Sequence, residues 1–276
     1  MTLSEAADRL RAAGIPEPLY EARRLFESFA RIPVARQIGE NPVSDDPALA
    51  DAVARRAAHE PLAYLLGEWG FYRESYLLSP DCLIPREDTE LLAETAIASL
   101  PRGARFADLC TGCGCVGLSV LAHTDATRAL LLDISEGAVH MAKRNAARLG
   151  LEDRAEFLVA DVCEGPGDGT FDAILSNPPY IKNAVYPTLS EEVRREPLRA
   201  FLGGEDGMDF YRVILAKYKS RLTESGFFAF EIGFDEEAAI RALATSHGFS
   251  CEVRRDLSGN PRVALLKKET ADNGKN

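Results

Sequence analysis

The sequence predicts an α/β protein: a seven-stranded, mostly parallel, doubly wound sheet with an antiparallel edge hairpin, preceded by a small all-α N-terminal domain. Three observations carry this prediction. Residues 1–60 show helical periodicity and no strand-like run, strand-like and helix-like segments alternate from about residue 88, and a short loop joins the last two strand-like segments. Alternation is typical of βαβ units in a parallel sheet, whereas a short connection favours an antiparallel pair.

Residues 1–67 are predicted to form the helical domain, which we expect to bind substrate for a reason given below. Thr2 and Glu5 have the spacing of a capping box, which begins a helix. A second helix is expected after Pro18 and a third near Pro47. Apolar residues recur on one side of each helix, so we expect the helices to bury these faces against each other.

Residues 68–85 are predicted to form a β-hairpin linker, because two short aromatic-rich runs bracket a tight turn at Arg73-Glu74. Residues 86–276 are predicted to form the larger α/β domain. Its expected helices span 88–100, 115–123, 135–149, 207–222 and 236–247. Its expected strands span 104–109, 127–132, 155–159, 171–175, 226–231, 249–255 and 262–267.

The composition of the 276-residue chain is that of a globular protein. Hydrophobic residues make up 46% and the net charge is −11, so the chain is too apolar to be disordered and its acidity disfavours direct binding of nucleic-acid phosphates. No stretch approaches the roughly 18 apolar residues of a membrane helix, and the N-terminus lacks the apolar core of a secretory signal. We expect a cytoplasmic protein without membrane association, acting as a monomer.

A glycine-rich turn is predicted after the first strand of the α/β domain. Gly112, Gly114 and Gly117 have the spacing of a nucleotide-binding turn, in which glycines let the backbone approach a ligand beside the free N–H groups of a helix N-terminus. Asp133 ends the next strand, where a carboxylate can accept both ribose hydroxyls of an adenosine. The pattern predicts a nucleoside site without distinguishing NAD from S-adenosylmethionine.

Three cysteines, Cys110, Cys113 and Cys115, lie in the same turn. A zinc site would require a second cluster of His or Cys ligands, and the four histidines of the chain are scattered without ligand spacing. We therefore interpret the cysteines as small residues that let the backbone pass close to a ligand, and we expect no metal site.

The tetrapeptide NPPY, from Asn177 to Tyr180, directly follows an apolar strand. Its prolines end the strand and fix the backbone at the sheet edge where open α/β folds bind ligands. The Asn177 side-chain carbonyl and the Pro178 backbone carbonyl can accept both hydrogens of a planar –NH₂ group, and Tyr180 can stack on its flat face. The tetrapeptide therefore predicts methyl transfer to an amide or exocyclic amine, with Asn177, Pro178 and Tyr180 as catalytic residues.

Together these segments resemble the class I S-adenosylmethionine-dependent methyltransferases, and over nearly the whole chain they are similar to the HemK/PrmC protein-(glutamine-N5) methyltransferases. LIPREDTE at 83–90 resembles that family's IPRPDTE signature, and HEPLAYLLG at 59–67 resembles the segment that joins its helical, substrate-binding domain to its hairpin. EPL at 196–198 and GGEDG at 203–207 resemble later family segments. The resemblance implies methylation of the Gln in the Gly-Gly-Gln motif of peptide chain release factors.

The resemblance also implies a set of site residues. S-adenosylmethionine would be bound by Cys110, Thr111, Gly112, Cys113, Gly114, Asp133, Asp161, Val162 and Asn177. Asp133 would hold the ribose, and Asp161 would accept a hydrogen bond from the adenine amino group unless it only caps a turn. The glutamine would enter between the two domains and be bound by Asn177, Pro178, Pro179 and Tyr180.

Two departures from the family pattern keep other acceptors open. Cys110 stands where the family usually has Gly, and Glu87 replaces the proline of the signature. The alternatives are a ribosomal-protein glutamine, an exocyclic amine of adenine or guanine, and a small-molecule amide or amine. An NAD-dependent oxidoreductase would use the same glycines but leaves NPPY unexplained, and the intact Asn177 argues against a non-catalytic binding module.

Overall fold

The chain folds into two compact units. The computed structural model describes residues 1–126, 128–165 and 169–268. One unit contains Met1–Glu68 and Ser190–Glu196, and the other contains the described residues of Trp69–Leu189 and Pro197–Asn276. The segment Ser190–Glu196 therefore belongs with the helical unit, although the sequence-based division assigned it to the α/β domain.

The helical unit begins with the capping box expected from the sequence. The Thr2 hydroxyl accepts from the Glu5 backbone N–H at 3.1 Å, and the Glu5 carboxylate accepts from the Thr2 N–H at 2.8 Å. This reciprocal pair satisfies two of the N–H groups that a helix start leaves free. The helices of this unit are α1 (Leu3–Ala12), α2 (Pro18–Phe29), α3 (Val34–Gln37), α4 (Pro47–Ala57) and α5 (Leu62–Leu66).

Arg56 on α4 forms a buried ion pair inside the helical unit. Its side chain is only 1% exposed, and its Nη2 atom donates to Glu21 Oε1 at 3.1 Å and to Glu192 Oε2 at 2.8 Å. A buried guanidinium is tolerated when carboxylates satisfy its donors. The bond to Glu192 holds the segment Ser190–Glu196 against the helices of this unit.

The rest of the chain forms the expected hairpin and the expected alternation of helices and strands. The hairpin consists of β1 (Glu68–Phe71) and β2 (Glu74–Leu77). The helices are α6 (Glu90–Ser99), which follows a 3₁₀ turn at Glu87–Thr89, α7 (Cys115–Ala122), α8 (Glu136–Leu149), α9 (Asp209–Tyr218) and α10 (Glu237–Ser246). The strands are β3 (Arg105–Leu109), β4 (Arg128–Asp133), β5 (Ala155–Val159), β6 (Phe171–Ser176), β7 (Leu222–Glu231), β8 (Phe249–Arg255) and β9 (Pro261–Lys268).

The described strands confirm the predicted fold class. Seven of them form one sheet in the order β5-β4-β3-β6-β7-β9-β8. The first five are parallel, whereas β9 lies antiparallel between β7 and β8. The chain runs outward through β4 and β5 on one side of β3 and through β6 and β7 on the other. The strand order therefore reverses between β3 and β6, and the carboxyl edge there is where doubly wound folds bind ligands.

The helix predicted over 207–222 is shorter in the structure, and the strand after it is longer. Gly207 has a left-handed backbone with φ +83°, so α9 begins only at Asp209. A 3₁₀ turn at Lys219–Arg221 ends the helix, and β7 begins at Leu222. The sequence predicted the strand only from residue 226, because residues 219–225 are polar apart from Leu222 and carry no strand signal.

The core of the sheet is aromatic and apolar. Phe228 and Phe230 on β7 stack with their ring centroids 5.4 Å apart, and Tyr211 of α9 meets Phe230 edge-on at 5.6 Å. All three side chains are fully buried, which favours docking of α9 on the sheet. Over the described ranges, we find no helix with the length and apolar character needed to cross a membrane.

Asn145 on α8 joins three parts of the α/β unit. Its side chain is 1% exposed. The Oδ1 atom accepts from the Leu77 N–H at 2.7 Å, and Nδ2 donates to the carbonyls of Leu77 at 3.0 Å and Cys113 at 2.9 Å. The side chain therefore pairs with β2 much as a neighbouring strand would, and it connects the glycine-rich turn to α8.

We expect Asn145→Ala to lower the free energy of unfolding by about 2–4 kcal/mol, because the half-buried backbone groups of Leu77 and the buried carbonyl of Cys113 lose their partner. Urea unfolding followed by circular dichroism measures this change. Asn183→Ala, at an exposed asparagine, is the control and should stay within about 0.5 kcal/mol of the unmodified protein. Equal, small losses for both variants would contradict the role of Asn145.

Candidate active site

The glycine-rich turn is held by the carboxylate of Asp108, which lies one residue before the end of β3. Asp108 is 1% exposed, and its Oδ2 atom accepts from the Thr111 hydroxyl at 2.5 Å and from the Gly117 N–H at 2.9 Å. Burial raises the pKa of this carboxyl group to about 7, although both hydrogen bonds favour the charged form. A Cβ atom at position 117 would lie 2.8 Å from Asp108 Oδ2, so this position requires glycine.

The other two glycines of the turn serve different purposes. Both have left-handed backbones, with φ +56° at Gly112 and +85° at Gly114. A Cβ atom at Gly114 would meet Leu118 Cδ1 at 3.0 Å, so this glycine allows α7 to pack. A Cβ atom at Gly112 would have no neighbouring atom within 4 Å, which leaves open space for a ligand beside the backbone.

Cys110 also has a left-handed backbone, with φ +59°. Side chains are strained in this region, where glycine is normally preferred. Cys110 therefore stands in place of the family's usual glycine at a position whose backbone conformation favours glycine. Burial raises the pKa of the Cys110 thiol, which keeps it protonated and poorly nucleophilic.

Asp133 joins the glycine-rich turn to the end of β4. Its Oδ2 atom accepts from the Gly112 N–H and its Oδ1 atom from the Ser135 N–H, both at 2.9 Å. Burial raises the pKa of Asp133, and the charge of Arg199 acts in the opposite direction. Each carboxylate oxygen can accept more than one hydrogen bond, so Asp133 retains capacity to bind ligand hydroxyls.

A cavity of about 470 Å³ lies at this edge of the sheet. Seven predicted site residues line it: Cys110, Gly112, Asp133, Asp161, Val162, Asn177 and Pro179. A smaller cavity of about 40 Å³ shares some of these residues and is also lined by Thr111 and Cys113. Three predicted residues of the described chain, Gly114, Pro178 and Tyr180, line neither cavity.

Asp161 both caps a turn and faces the cavity. Its Oδ1 atom accepts from the Cys163 N–H at 2.7 Å, at the start of the 3₁₀ turn Val162–Glu164. The same residue lines the larger cavity beside Val162. Capping a turn and binding a ligand are therefore compatible roles for Asp161, because one carboxylate can accept hydrogen bonds from the backbone and from a ligand together.

Several cavity residues had no role in the sequence-based prediction. They are Asp81, Cys82, Leu83, Leu132, Ile134, Ser135, Cys163, Pro197, Arg199, Ala200 and Phe210. Leu83 and Pro197 belong to segments that resemble the family, and Arg199 and Ala200 directly follow one of these segments. The resemblance of these segments could therefore have indicated that the four residues lie near the site. Phe210 follows the first residue of α9 and had no such signal.

The NPPY tetrapeptide begins where β6 ends beside β3. The Ser176 hydroxyl donates to the Leu109 carbonyl at 2.7 Å, which fixes the end of the strand. Asn177 Nδ2 donates to Thr89 Oγ1 at 3.3 Å, and the Tyr180 hydroxyl donates to Glu231 Oε1 at 3.0 Å. Both ends of the tetrapeptide are thus held by side chains from other segments.

Comparison with known proteins identifies the family. A "PrmC N-terminal domain" model matches residues 2–67 and a "Methyltransferase small domain" model matches residues 87–194. The release factor glutamine methyltransferase of Rhodospirillum rubrum is 39% identical over 276 residues, which cover 98% of this chain and 85% of that protein. The chain belongs to the release factor glutamine methyltransferase family. The predictions of this family and of a methyltransferase enzyme are confirmed, and the oxidoreductase alternative is wrong.

Other relatives agree with this membership. The release factor glutamine methyltransferase of Agrobacterium fabrum is 37% identical, over 96% of each chain. Among solved structures, the ribosomal protein L11 methylase of Lactobacillus delbrueckii subsp. bulgaricus superposes with a TM-score of 0.51 at 19% identity, covering 67% of this chain and 81% of that chain. That likeness supports the shared methyltransferase fold.

Neighbouring histidine, cysteine and acidic side chains do not form a metal-binding group within the described residues. All six cysteines are free thiols. Burial raises the pKa of Cys82 and Cys163, which line the larger cavity with Cys110. These thiols therefore remain protonated near neutral pH and act as small cavity-wall groups.

The left-handed backbone at Cys110 leads to a stability prediction. We expect Cys110→Gly to be more stable than Cys110→Ala by about 1 kcal/mol, because both variants lose the thiol but only glycine relieves the strain. The same pair of substitutions at Cys251, inside strand β8, is the control and should have the opposite order by about 0.5–1 kcal/mol. Denaturant unfolding measures both differences. If alanine is the better replacement at position 110, the argument from strain is wrong.

Proposed function

We propose that this enzyme transfers the methyl group of S-adenosyl-L-methionine to the side-chain amide nitrogen of the glutamine in the Gly-Gly-Gln motif of peptide chain release factors. The observation that carries the proposal is the single cavity lined both by Asp133, at the end of β4, and by Asn177, at the end of β6. The part of the cavity at Asp133 suits the ribose of an adenosine, and the part at Asn177 suits an amide. The names of the relatives supply the release factor as the substrate class.

The residues of the larger cavity fit S-adenosylmethionine. Its volume of about 470 Å³ is in the usual range for small-ligand sites. Asp133 would accept the ribose hydroxyls, and Asp161 and Val162 would contact the adenine. When bound, the donor supplies a methyl group on a positively charged sulfur.

The charges around the cavity favour this donor. Asp81, Asp133 and Asp161 contribute carboxylates to its lining, whereas Arg199 contributes a guanidinium. Carboxylates attract the positive sulfonium and ammonium groups of S-adenosylmethionine. The product of transfer has lost the sulfonium charge, so we expect the cavity to hold the donor more tightly than the product.

Asn177 and Pro178 would hold the substrate amide. The Asn177 Nδ2 atom already donates to Thr89, so its carbonyl oxygen is the group left to accept from the substrate. With the Pro178 carbonyl as a second acceptor, both hydrogens of the substrate –NH₂ are engaged and its nitrogen faces the donor. With the donor bound, this arrangement would let the nitrogen take the methyl group from the sulfonium sulfur, which would keep the electron pair of the broken bond while one amide proton leaves to solvent.

Positioning is the main catalytic contribution in this proposal. Attack on a sulfonium methyl group requires alignment of two reactants, and alignment alone can supply much of the rate acceleration. The buried carboxyl of Asp108, whose pKa is raised to about 7, is engaged by Thr111 and Gly117. It therefore holds the turn and is not assigned a role as general base.

A cytoplasmic location and a monomeric state stay predictions, although both agree with an enzyme that modifies a translation factor. The net charge of −11 continues to disfavour the nucleic-acid acceptors, because phosphate binding depends on Lys and Arg. The remaining alternatives, a ribosomal-protein glutamine and a small-molecule amide or amine, are compared directly in the acceptor experiment below.

We expect S-adenosylhomocysteine to bind saturably in a calorimetric titration, and Asp133→Ala to weaken this binding by at least about tenfold, since two hydrogen bonds to a charged group are lost. Asp125→Ala, at an exposed aspartate, is the control and should bind normally. The same titration is run with NADH. Binding of NADH without binding of S-adenosylhomocysteine would overturn the donor assignment.

The acceptor is tested by offering radiolabelled S-adenosylmethionine with release factor, ribosomal protein, a small-molecule amide and RNA in parallel. We expect label on the release factor, and none on a release factor whose Gly-Gly-Gln glutamine is replaced by alanine. Asn177→Ala should reduce turnover by about 100-fold or more, because the amide loses its alignment, while S-adenosylhomocysteine still binds.

Asn183→Ala removes an exposed asparagine in the segment after the tetrapeptide and is the matched control, with unchanged turnover expected. Label on RNA alone would replace the proposed substrate with a nucleic-acid base. Label on ribosomal protein alone would replace it with another protein glutamine, and label on the small amide alone would exclude a protein acceptor. Full activity of Asn177→Ala would refute the amide-holding role.

A further inference from the structure

Phe210 is the one aromatic side chain among the described residues that line the larger cavity. It is the second residue of α9. Its side chain is half-buried and packs against the apolar core of the sheet. The mechanism proposed above gives it no role, although a ring that lines a ligand cavity offers a flat apolar surface for contact with the ligand.

Two buried tyrosine hydroxyls hold α9 in place beside the cavity. The Tyr211 hydroxyl donates to the Glu231 carbonyl at 2.8 Å, at the end of β7. The Tyr218 hydroxyl donates to the Val162 carbonyl at 3.1 Å, in the 3₁₀ turn that follows Asp161. The helix that carries the ring is therefore fixed both to the sheet and to the turn beside Asp161.

The lining of the cavity combines apolar side chains with an acceptor. Val162 and Ile134 are apolar, and Ile134 is 52% exposed although it directly follows the buried strand β4. The Asp161 carboxylate accepts from the Cys163 N–H and can accept further hydrogen bonds. An adenine base has the complementary character, with two flat apolar faces and an amino group at its edge.

The strand register places the base near Phe210. Asp133 pairs with Val159 across β4 and β5, and Asp161 follows shortly after Val159. A ribose held by Asp133 would therefore leave its base beside Asp161 and Val162. Phe210 lines the same cavity, and its helix is bonded to the Val162 carbonyl through Tyr218.

We propose that the Phe210 ring packs against the adenine base of the methyl donor and makes the cavity selective for a flat purine; this inference rests on the proposed function. Contact between two aromatic systems gains more than burial of their area alone, so the ring adds a preference that Val162 and Ile134 cannot supply. The base lies away from the methyl group that is transferred. Phe210 should therefore contribute to donor binding and little to the transfer step.

Three variants grade the aromatic contact. Phe210→Ala removes the ring, Phe210→Leu keeps an apolar side chain, and Phe210→Trp keeps an aromatic one. Phe234→Ala is the matched control, because Phe234 is 67% exposed after β7 and is not among the described residues that line either cavity. Tyr211→Phe, at the next position of α9, is the stability control, since it loses the hydrogen bond to the Glu231 carbonyl.

We expect Phe210→Ala to weaken S-adenosylhomocysteine binding and to raise the donor KM by about tenfold, because the aromatic contact and its apolar burial are both lost. Its kcat at saturating donor should stay within about threefold. Phe210→Leu should bind with intermediate affinity, and Phe210→Trp should bind within about threefold of the unmodified protein. Phe234→Ala should bind normally, as should Tyr211→Phe, although the latter should unfold at a lower temperature. Calorimetry, steady-state kinetics and thermal unfolding measure these quantities.

Tryptophan fluorescence reports the contact independently of activity. Phe210→Trp adds an indole to a chain whose only other tryptophan is Trp69, and titration of the unmodified protein measures the Trp69 signal alone. We expect S-adenosylhomocysteine to quench the added emission at the concentrations that saturate the calorimetric titration. Phe234→Trp is the control, and its added emission should not respond.

Three results would overturn the inference: unchanged S-adenosylhomocysteine affinity in Phe210→Ala, a fall in its kcat without a change in donor affinity, or saturable binding to Phe210→Trp that leaves the added emission unchanged. Each of these leaves the proposed function intact, because the unmodified protein still binds S-adenosylhomocysteine. Absence of that binding in the unmodified protein would overturn the proposed function, and this inference with it.

Discussion

The buried carboxylate of Asp108 is the constraint on which the rest of the active site depends. It is fully enclosed near the end of β3 and accepts from Thr111 and Gly117 across the turn. No side chain fits at position 117, because a Cβ atom would lie 2.8 Å from this carboxylate. The turn therefore closes tightly at one side, and its other side, at Gly112, remains open toward the cavity.

The second constraint comes from the sheet. Parallel strands bring their carboxyl ends to one edge of the sheet. At this edge β4 ends with Asp133 and β7 ends with Glu231, and Asn177 directly follows the end of β6. Asp133 accepts from the Gly112 N–H at 2.9 Å, so the turn and the neighbouring strand fix each other. The cavity is thus bounded by groups whose positions follow from the strand order, which is why donor and acceptor groups meet in one place.

The chemistry proposed for the cavity is alignment of an amide by hydrogen-bond acceptors, with no residue assigned as general base. Burial raises the pKa values of Asp108, Asp133 and Glu231, but each accepts hydrogen bonds from backbone or hydroxyl donors that stabilise its charge. Burial also keeps the Cys110 thiol protonated. The cavity therefore offers fixed acceptors for the hydrogens of an amide, together with carboxylates that attract a cationic donor, as the proposed reaction requires.

The sequence by itself determined the fold class, the family and seven of the residues that line the donor cavity. Hydrophobic periodicity and turn residues are local signals, so they identified the strands after which Asp133 and Asn177 follow, together with the glycine-rich turn. Only the tertiary structure decided the left-handed strain at Cys110 and the contact of Asn177 with Thr89, which lie 88 residues apart. It also decided that Tyr180 donates to Glu231, 51 residues away, and that Arg199 lines the cavity. Contacts of this kind depend on how distant segments pack around the sheet, and no local pattern in the chain encodes which buried hydroxyl will face which carboxylate.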